Sequence, residues 1–161
     1  MAREGSIMPD VRLLAAISAG GVLGALGRYG LQCAFPHGAS AFGWTTLAIN
    51  VVGCLLVGIV AAVAAESRRA PRLTRPFLVT GVLGGFTTFS TYIVDVQRAL
   101  VAGAPRVALL YAAATLVAAL AAAWTGVWLA VLVFRLRAAG AAGNDPAADG
   151  LVADGLAEEG A

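Results

Sequence analysis

Charge is scarce in this chain, and lysine is absent: 12% of its 161 residues are charged, and all eleven basic residues are arginine. A soluble domain normally carries about twice that charge. With 60% apolar residues and a mean hydropathy of +0.84, the bilayer is the expected solvent. A net charge of +2 speaks against a nucleic-acid partner. The two cysteines, Cys33 and Cys54, fit no C-x-x-C pattern, which excludes a sequence-legible metal or redox pair. A single histidine, no serine in a nucleophile elbow and no pair of carboxylates within the apolar runs leave no catalytic set, so an enzyme is not expected. A small multidrug-type exporter needs an ionisable carboxylate within a span, and the first two runs have none.

What is present is four apolar runs, each near the roughly 20 residues that cross a bilayer as a helix. The first, Leu13 to Gly27, ends at Arg28 and reaches helical length with Val11 and Tyr29 to Cys33. A signal peptide is its alternative, but no clean small-residue cleavage site follows and three more spans come after it. The second, Trp44 to Ala65, holds one strongly polar side chain, Asn50, and opens on Trp44 as an interfacial anchor. The loop Glu66 to Arg75 carries four arginines, and Pro76 opens the third run, Phe77 to Val94, as a first-turn proline. The fourth, Val107 to Phe134, is long enough to tilt. The expected organisation is an N-terminal flank over residues 1–10, a four-helix transmembrane domain over 11–135, and an acidic, disordered tail over 136–161. No second domain is expected. Eight arginines fall on the side of the termini and second loop against three opposite, which favours cytoplasmic termini.

Within these runs, Gly20 and Gly24, like Gly81 and Gly85, form small-xxx-small pairs suited to close helix packing. GGVLGALG lacks the start of a dinucleotide fingerprint, and no strand precedes it. The third run is different in kind. Adjacent Gly84 and Gly85 cost a helix roughly 2 kcal/mol relative to alanine, and Thr87, Thr88, Ser90 and Thr91 follow at once. A helix broken there frees carbonyls, which suit a hard cation, beside hydroxyls, which suit an anion. Irregular backbone at membrane depth needs a protein-buried or wet setting. The bland alternative is that the hydroxyls bond back to the preceding turn. Phe89 and Tyr92, at i and i+3, share a helix face whose ring edges could hold an anion. Asn50 either glues helices or donates to a ligand. Arg28 either snorkels to an interface or draws anions into a vestibule. Asp95 and Arg98 are spaced to pair, and His37 reads as a loop residue without a partner.

Three motifs, GGVLGALGRYG at 20–30, TLAINVVGCLLVG at 46–58 and TGVLGGFTTFSTY at 80–92, stand in the order found in the Fluc (CrcB) fluoride channels, and over about residues 11–134 the chain resembles that family. The resemblance implies an all-α membrane protein of four transmembrane helices, the third broken mid-membrane, in an antiparallel, dual-topology-type dimer. It implies a plasma-membrane channel with two fluoride pores, which passively exports cytoplasmic fluoride trapped after hydrogen fluoride has entered and dissociated. The family's pore residues fall on Asn50, Phe89, Ser90, Thr91, Tyr92 and Tyr111, and its vestibule arginine on Arg28. Its structural sodium ion, at the dimer centre, falls to the backbone carbonyls of Gly84 and Thr87. The chain departs from the pattern at Tyr92, where the family usually has phenylalanine, and at Ile93 and Asp95, where it usually has serine and glutamate. Its arginine bias also departs from the balance of a dual-topology homodimer, and a heterodimer with an oppositely oriented paralogue is the alternative. A non-conducting membrane subunit or scaffold is the rival reading from another class.

Overall fold

The computed structural model describes residues 10–66 and 72–142, and among these every regular element is helical. Residues 1–9, residues 67–71 of the arginine-bearing second loop and the acidic stretch 143–161 lie outside the described residues. The helices are α1 (Val11–Ala34), α2 (Trp44–Glu66), a π-helical segment (Pro76–Leu83) leading into the short α3 (Gly84–Phe86), then α4 (Ser90–Val101) and α5 (Pro105–Ala142). By length and hydropathy they make four membrane-length spans, with Pro76–Val101 counted as one. The protein is therefore a multi-pass membrane protein. Helix α5 runs past Arg135 to Ala142, into the stretch whose composition reads as tail.

Local signals set the ends. Asp10 caps α1, its Oδ1 accepting the amides of Arg12 at 3.1 Å and Leu13 at 3.4 Å. Pro76, whose missing N–H costs nothing in a first turn, opens the π-helical segment. Gly103, at φ 74°, stops α4: its own amide reaches Leu100 O at 3.0 Å and that of Ala104 reaches Ala99 O at 2.9 Å. This is a Schellman motif, and it needs a residue without a Cβ at the left-handed position.

Two close helix pairs build the bundle: α1 lies along the π-helical segment and α3, and α2 lies along α5. Small residues make both approaches possible. A Cβ on Gly81 would come within 2.9 Å of Gly20 Cα, and one on Gly85 within 3.0 Å of Gly21 Cα. Across the second pair, a Cβ on Gly58 would come within 3.0 Å of Val127 N, and one on Gly126 within 3.0 Å of Ile59 N. In each case the obstacle is backbone, so no rotamer change relieves it. The glycine pairs serve the packing role expected of them.

The distribution of polarity is inverted relative to a soluble domain. Large apolar side chains such as Leu109, Leu120 and Trp124 stand exposed, while Thr46, Asn50, Thr88, Asp95 and Thr115 are buried. Without water in the bilayer, polar groups must find partners inside the protein. They collect where α2, the α3–α4 junction and α5 meet.

Candidate functional site

The α3–α4 junction is the centre of this polar interior. The helix ends at Phe86, the Thr87 amide making its last helical hydrogen bond to Leu83 O at 3.0 Å, Thr87 is extended (φ −69°, ψ 156°), and the helix resumes at Ser90. Asn50, reaching across from α2, takes the place of the missing helical partners. Its Nδ2 donates to Thr88 O and its Oδ1 accepts Thr88 N–H, both at 2.9 Å. Thr88 Oγ1 in turn accepts the Thr91 amide at 3.1 Å, donates to Thr91 Oγ1 at 3.0 Å and lies 3.4 Å from Ser90 Oγ. Thus Asn50 does act as glue between segments, and one amide hydrogen remains for another acceptor.

This bonding pattern bears on Gly84 and Thr87. The amides that a continuous helix would direct to their carbonyls are those of Thr88 and Thr91, and these donate instead to Asn50 Oδ1 and Thr88 Oγ1. Two backbone oxygens are thereby relieved of their helical donors, and they suit a hard cation, which prefers oxygen ligands. Among the described residues no group of three His, Cys, Asp or Glu could hold a metal ion. Thr87 follows the bland expectation for a hydroxyl, donating back to Leu83 O at 3.0 Å.

The aromatic residues form a file. Phe89 and Tyr92 have ring centroids 5.6 Å apart, as do Tyr92 and Tyr111, and Phe42 meets Tyr111 edge-on at 5.2 Å. Tyr92 donates its hydroxyl to Ala112 O at 3.0 Å, which directs the added phenol oxygen onto the α5 backbone. Tyr111 is 2% exposed, whereas Phe89 is 75% exposed on the surface of the single chain.

The expected pore residues divide between two cavities. One of about 220 Å³ is lined by Asn50, Thr87, Thr88, Phe89, Tyr92 and Thr115, and no acidic side chain faces it. The other, of about 410 Å³, includes Thr46, Ser90, Thr91 and Asp95 in its wall. Tyr111 touches both groups, through the Tyr92 ring on one side and Asp95 Oδ2, 3.4 Å from its hydroxyl, on the other. Arg28 is half-buried, and its Nε donates to Gly85 O at 3.2 Å, beside the junction.

Three residues gain importance from the structure that the sequence did not announce. Thr115 is 3% exposed and lines the smaller cavity, and its buried hydroxyl oxygen makes no hydrogen bond. Thr46, fully buried on α2, donates to Asp95 Oδ2 at 2.8 Å. His37 has a partner after all, its Nε2 lying 3.5 Å from Asp95 Oδ2. A lone threonine in an apolar run carries no sequence signal beyond its hydroxyl, and the His37–Asp95 meeting joins segments far apart in the chain. Arg98 lies 3.8 Å from Asp95, the pairing their spacing predicts.

Four apolar spans around a buried polar cluster, with two open clefts against it, one of them having no acidic side chain among the described residues that line it, define a multi-pass membrane protein with a polar centre. The chain belongs to the CrcB family: residues 15–127 match the family described as "CrcB-like protein, Camphor Resistance (CrcB)". It is 46% identical over 125 residues to fluoride-specific ion channel FluC 1 of Streptomyces coelicolor, a match covering 78% of this chain and 81% of that protein. It is 49% identical over 104 residues to FluC 2 of Streptomyces avermitilis, covering 65% and 66% respectively. With the fluoride-specific ion channel FluC of Pseudomonas putida it shares 38% identity over 120 residues, covering 74% and 97%.

Proposed function

We propose that the chain is a subunit of a fluoride-selective channel that lets cytoplasmic fluoride leave the cell down its gradient and so relieves fluoride toxicity. The observation that carries this reading is the cavity bounded by Asn50, Thr88, Phe89, Tyr92 and Thr115, in a chain whose relatives are named fluoride-specific channels. Fluoride is small and strongly hydrated, so a pore must replace its water with donors in a bore too tight for chloride. The remaining Asn50 amide hydrogen, the unpartnered Thr115 hydroxyl and the ring edges of Phe89 and Tyr92 are donors of that kind. Ser90, Thr91 and Tyr111 continue the polar track into the larger cavity. Nothing in the geometry favours a scaffold or a multidrug-type exporter.

The working unit in this reading is an antiparallel dimer with the α3–α4 junction at mid-membrane. Phe89 supports it, since a pore-lining ring that is 75% exposed on one chain needs a second chain to complete the wall. A sodium ion at the dimer centre would be held by the Gly84 and Thr87 carbonyls of both protomers. It would supply fixed positive charge that ties the two broken helices together. Arg28, on the Gly85 carbonyl, would hold the junction from the vestibule side. Streptomyces avermitilis has relatives named FluC 2 and FluC 3, which, with the arginine bias, supports pairing with an oppositely oriented paralogue and cytoplasmic termini.

Fluoride efflux from liposomes tests the function. The protein, alone or with a paralogue, is expected to release fluoride at rates far above protein-free liposomes, and Phe89→Ile or Asn50→Asp is expected to abolish the release. Absence of efflux both alone and with the paralogue refutes the channel reading.

A further inference from the structure

His37, the chain's single histidine, plays no part in the function as proposed so far. It lies in the loop between α1 and α2, with a side chain 25% exposed, and its Nε2 is 3.5 Å from Asp95 Oδ2. Asp95 is the one charged residue buried among the described residues. Its carboxylate takes hydrogen bonds from Thr46 at 2.8 Å and Tyr111 at 3.4 Å.

Both His37 and Asp95 line the cavity of about 410 Å³ that also receives Ser90 and Thr91. An anion approaching those hydroxyls therefore meets a fixed negative charge. Arg98, on α4, offsets that charge from 3.8 Å, but its side chain is 65% exposed and so open to screening by salt. The other elements around this cavity contribute neutral groups: Gln32 from α1, Thr45 and Thr46 from α2, and, through Asp95, Tyr111 from α5. With His37 neutral, Asp95 and Arg98 cancel formally. With His37 protonated, the cluster gains a positive charge on the anion's route.

We propose that His37 is a rate-determining residue for anion entry, its protonated form offsetting Asp95 and raising fluoride conductance. The inference rests on the channel reading, so the experiment must separate the two. Fluoride current across planar bilayers, measured at symmetric pH values from about 5.5 to 7.5, does so, because this range brackets ordinary histidine titration and electroneutral hydrogen fluoride carries no current.

Conductance is expected to be roughly fivefold higher at the acid end, the effect of one unit charge acting on an anion at close range through water. His37→Gln should hold conductance at the lower level at every pH, and His37→Arg at the upper level. Arg98→Gln should lower conductance at every pH while keeping the step. A fluoride current without a pH step in the unaltered protein, or a step of the same size in His37→Gln, overturns the inference and leaves the channel standing. No fluoride current at any pH overturns both. Because the unaltered protein is itself one arm, the test survives even if a loop variant does not fold.

Discussion

Replacing Asn50 by alanine removes the clamp on the α3–α4 junction. The residue is 7% exposed and makes two 2.9 Å hydrogen bonds to the backbone of Thr88, one in each direction. Alanine leaves the Thr88 N–H and C=O facing an interior without water. Unsatisfied buried groups cost about 1–3 kcal/mol each in soluble proteins, so two such groups cost about 2–6 kcal/mol. Hydrogen bonds within membranes average nearer 0.6 kcal/mol, because the unfolded state in a bilayer also finds partners, so the lower bound is about 1 kcal/mol. Equilibrium unfolding in mixed micelles, followed by circular dichroism, measures the loss directly. Asn50→Asp keeps an acceptor for the Thr88 amide but sets a second carboxylate oxygen against the Thr88 carbonyl and buries an unpaired charge in the smaller cavity, so it should lose at least as much stability as Asn50→Ala and block fluoride. An Asn50→Ala protein with unchanged stability would refute the idea that this amide holds the broken backbone.

Three further outcomes follow from other contacts. Gly85→Val should give little folded protein by size-exclusion chromatography, since a Cβ there meets the Gly21 backbone, whereas Gly21→Ala should be tolerated because nothing lies within 4 Å of its Cβ position. Thr115→Val removes a buried hydroxyl that has no protein partner, so unfolding in micelles should show stability unchanged or raised, while fluoride efflux falls at least tenfold. Tyr92→Phe should lose about 1 kcal/mol through its bond to Ala112 O and still conduct fluoride, because the ring that faces Phe89 remains.

Much of the fold was legible because a bilayer imposes simple rules. Spans of apolar residues at membrane length marked where each span begins to within two residues: Trp44 opened α2 as expected, and the second run ended one residue before the helix does, while the third helical span runs on past Val94 to Val101. The fourth helix outran its apolar core, continuing through Arg135 and Arg137 to Ala142, because arginine and alanine favour helix whether or not lipid surrounds them. Within the candidate site, the double glycine and hydroxyl cluster were conspicuous as residues that do not belong in a dry, continuous helix. Thr115 and Thr46 were not, since a threonine in a span, alone or beside Thr45, is indistinguishable by sequence from one that bonds back to its own helix, as Thr125 does to Ala121 O at 2.7 Å. His37 gave no sign either, because its partner is brought to it by α4.

The sequence alone determined the solvent, the number of spans and the place where backbone geometry would be under pressure, for these follow from composition and from local preferences of glycine and proline. It also carried enough motif to resemble its family. Only the tertiary structure decided how each polar side chain is spent. Asn50 is tied to Thr88, the phenol of Tyr92 to α5, Arg28 to Gly85 O, and Asp95 to Thr46, Tyr111 and His37 at once. The physical reason is that in a membrane interior a donor must find an acceptor within the protein. Which acceptor it finds depends on which helices lie side by side, a non-local fact settled here by glycines that let backbones touch.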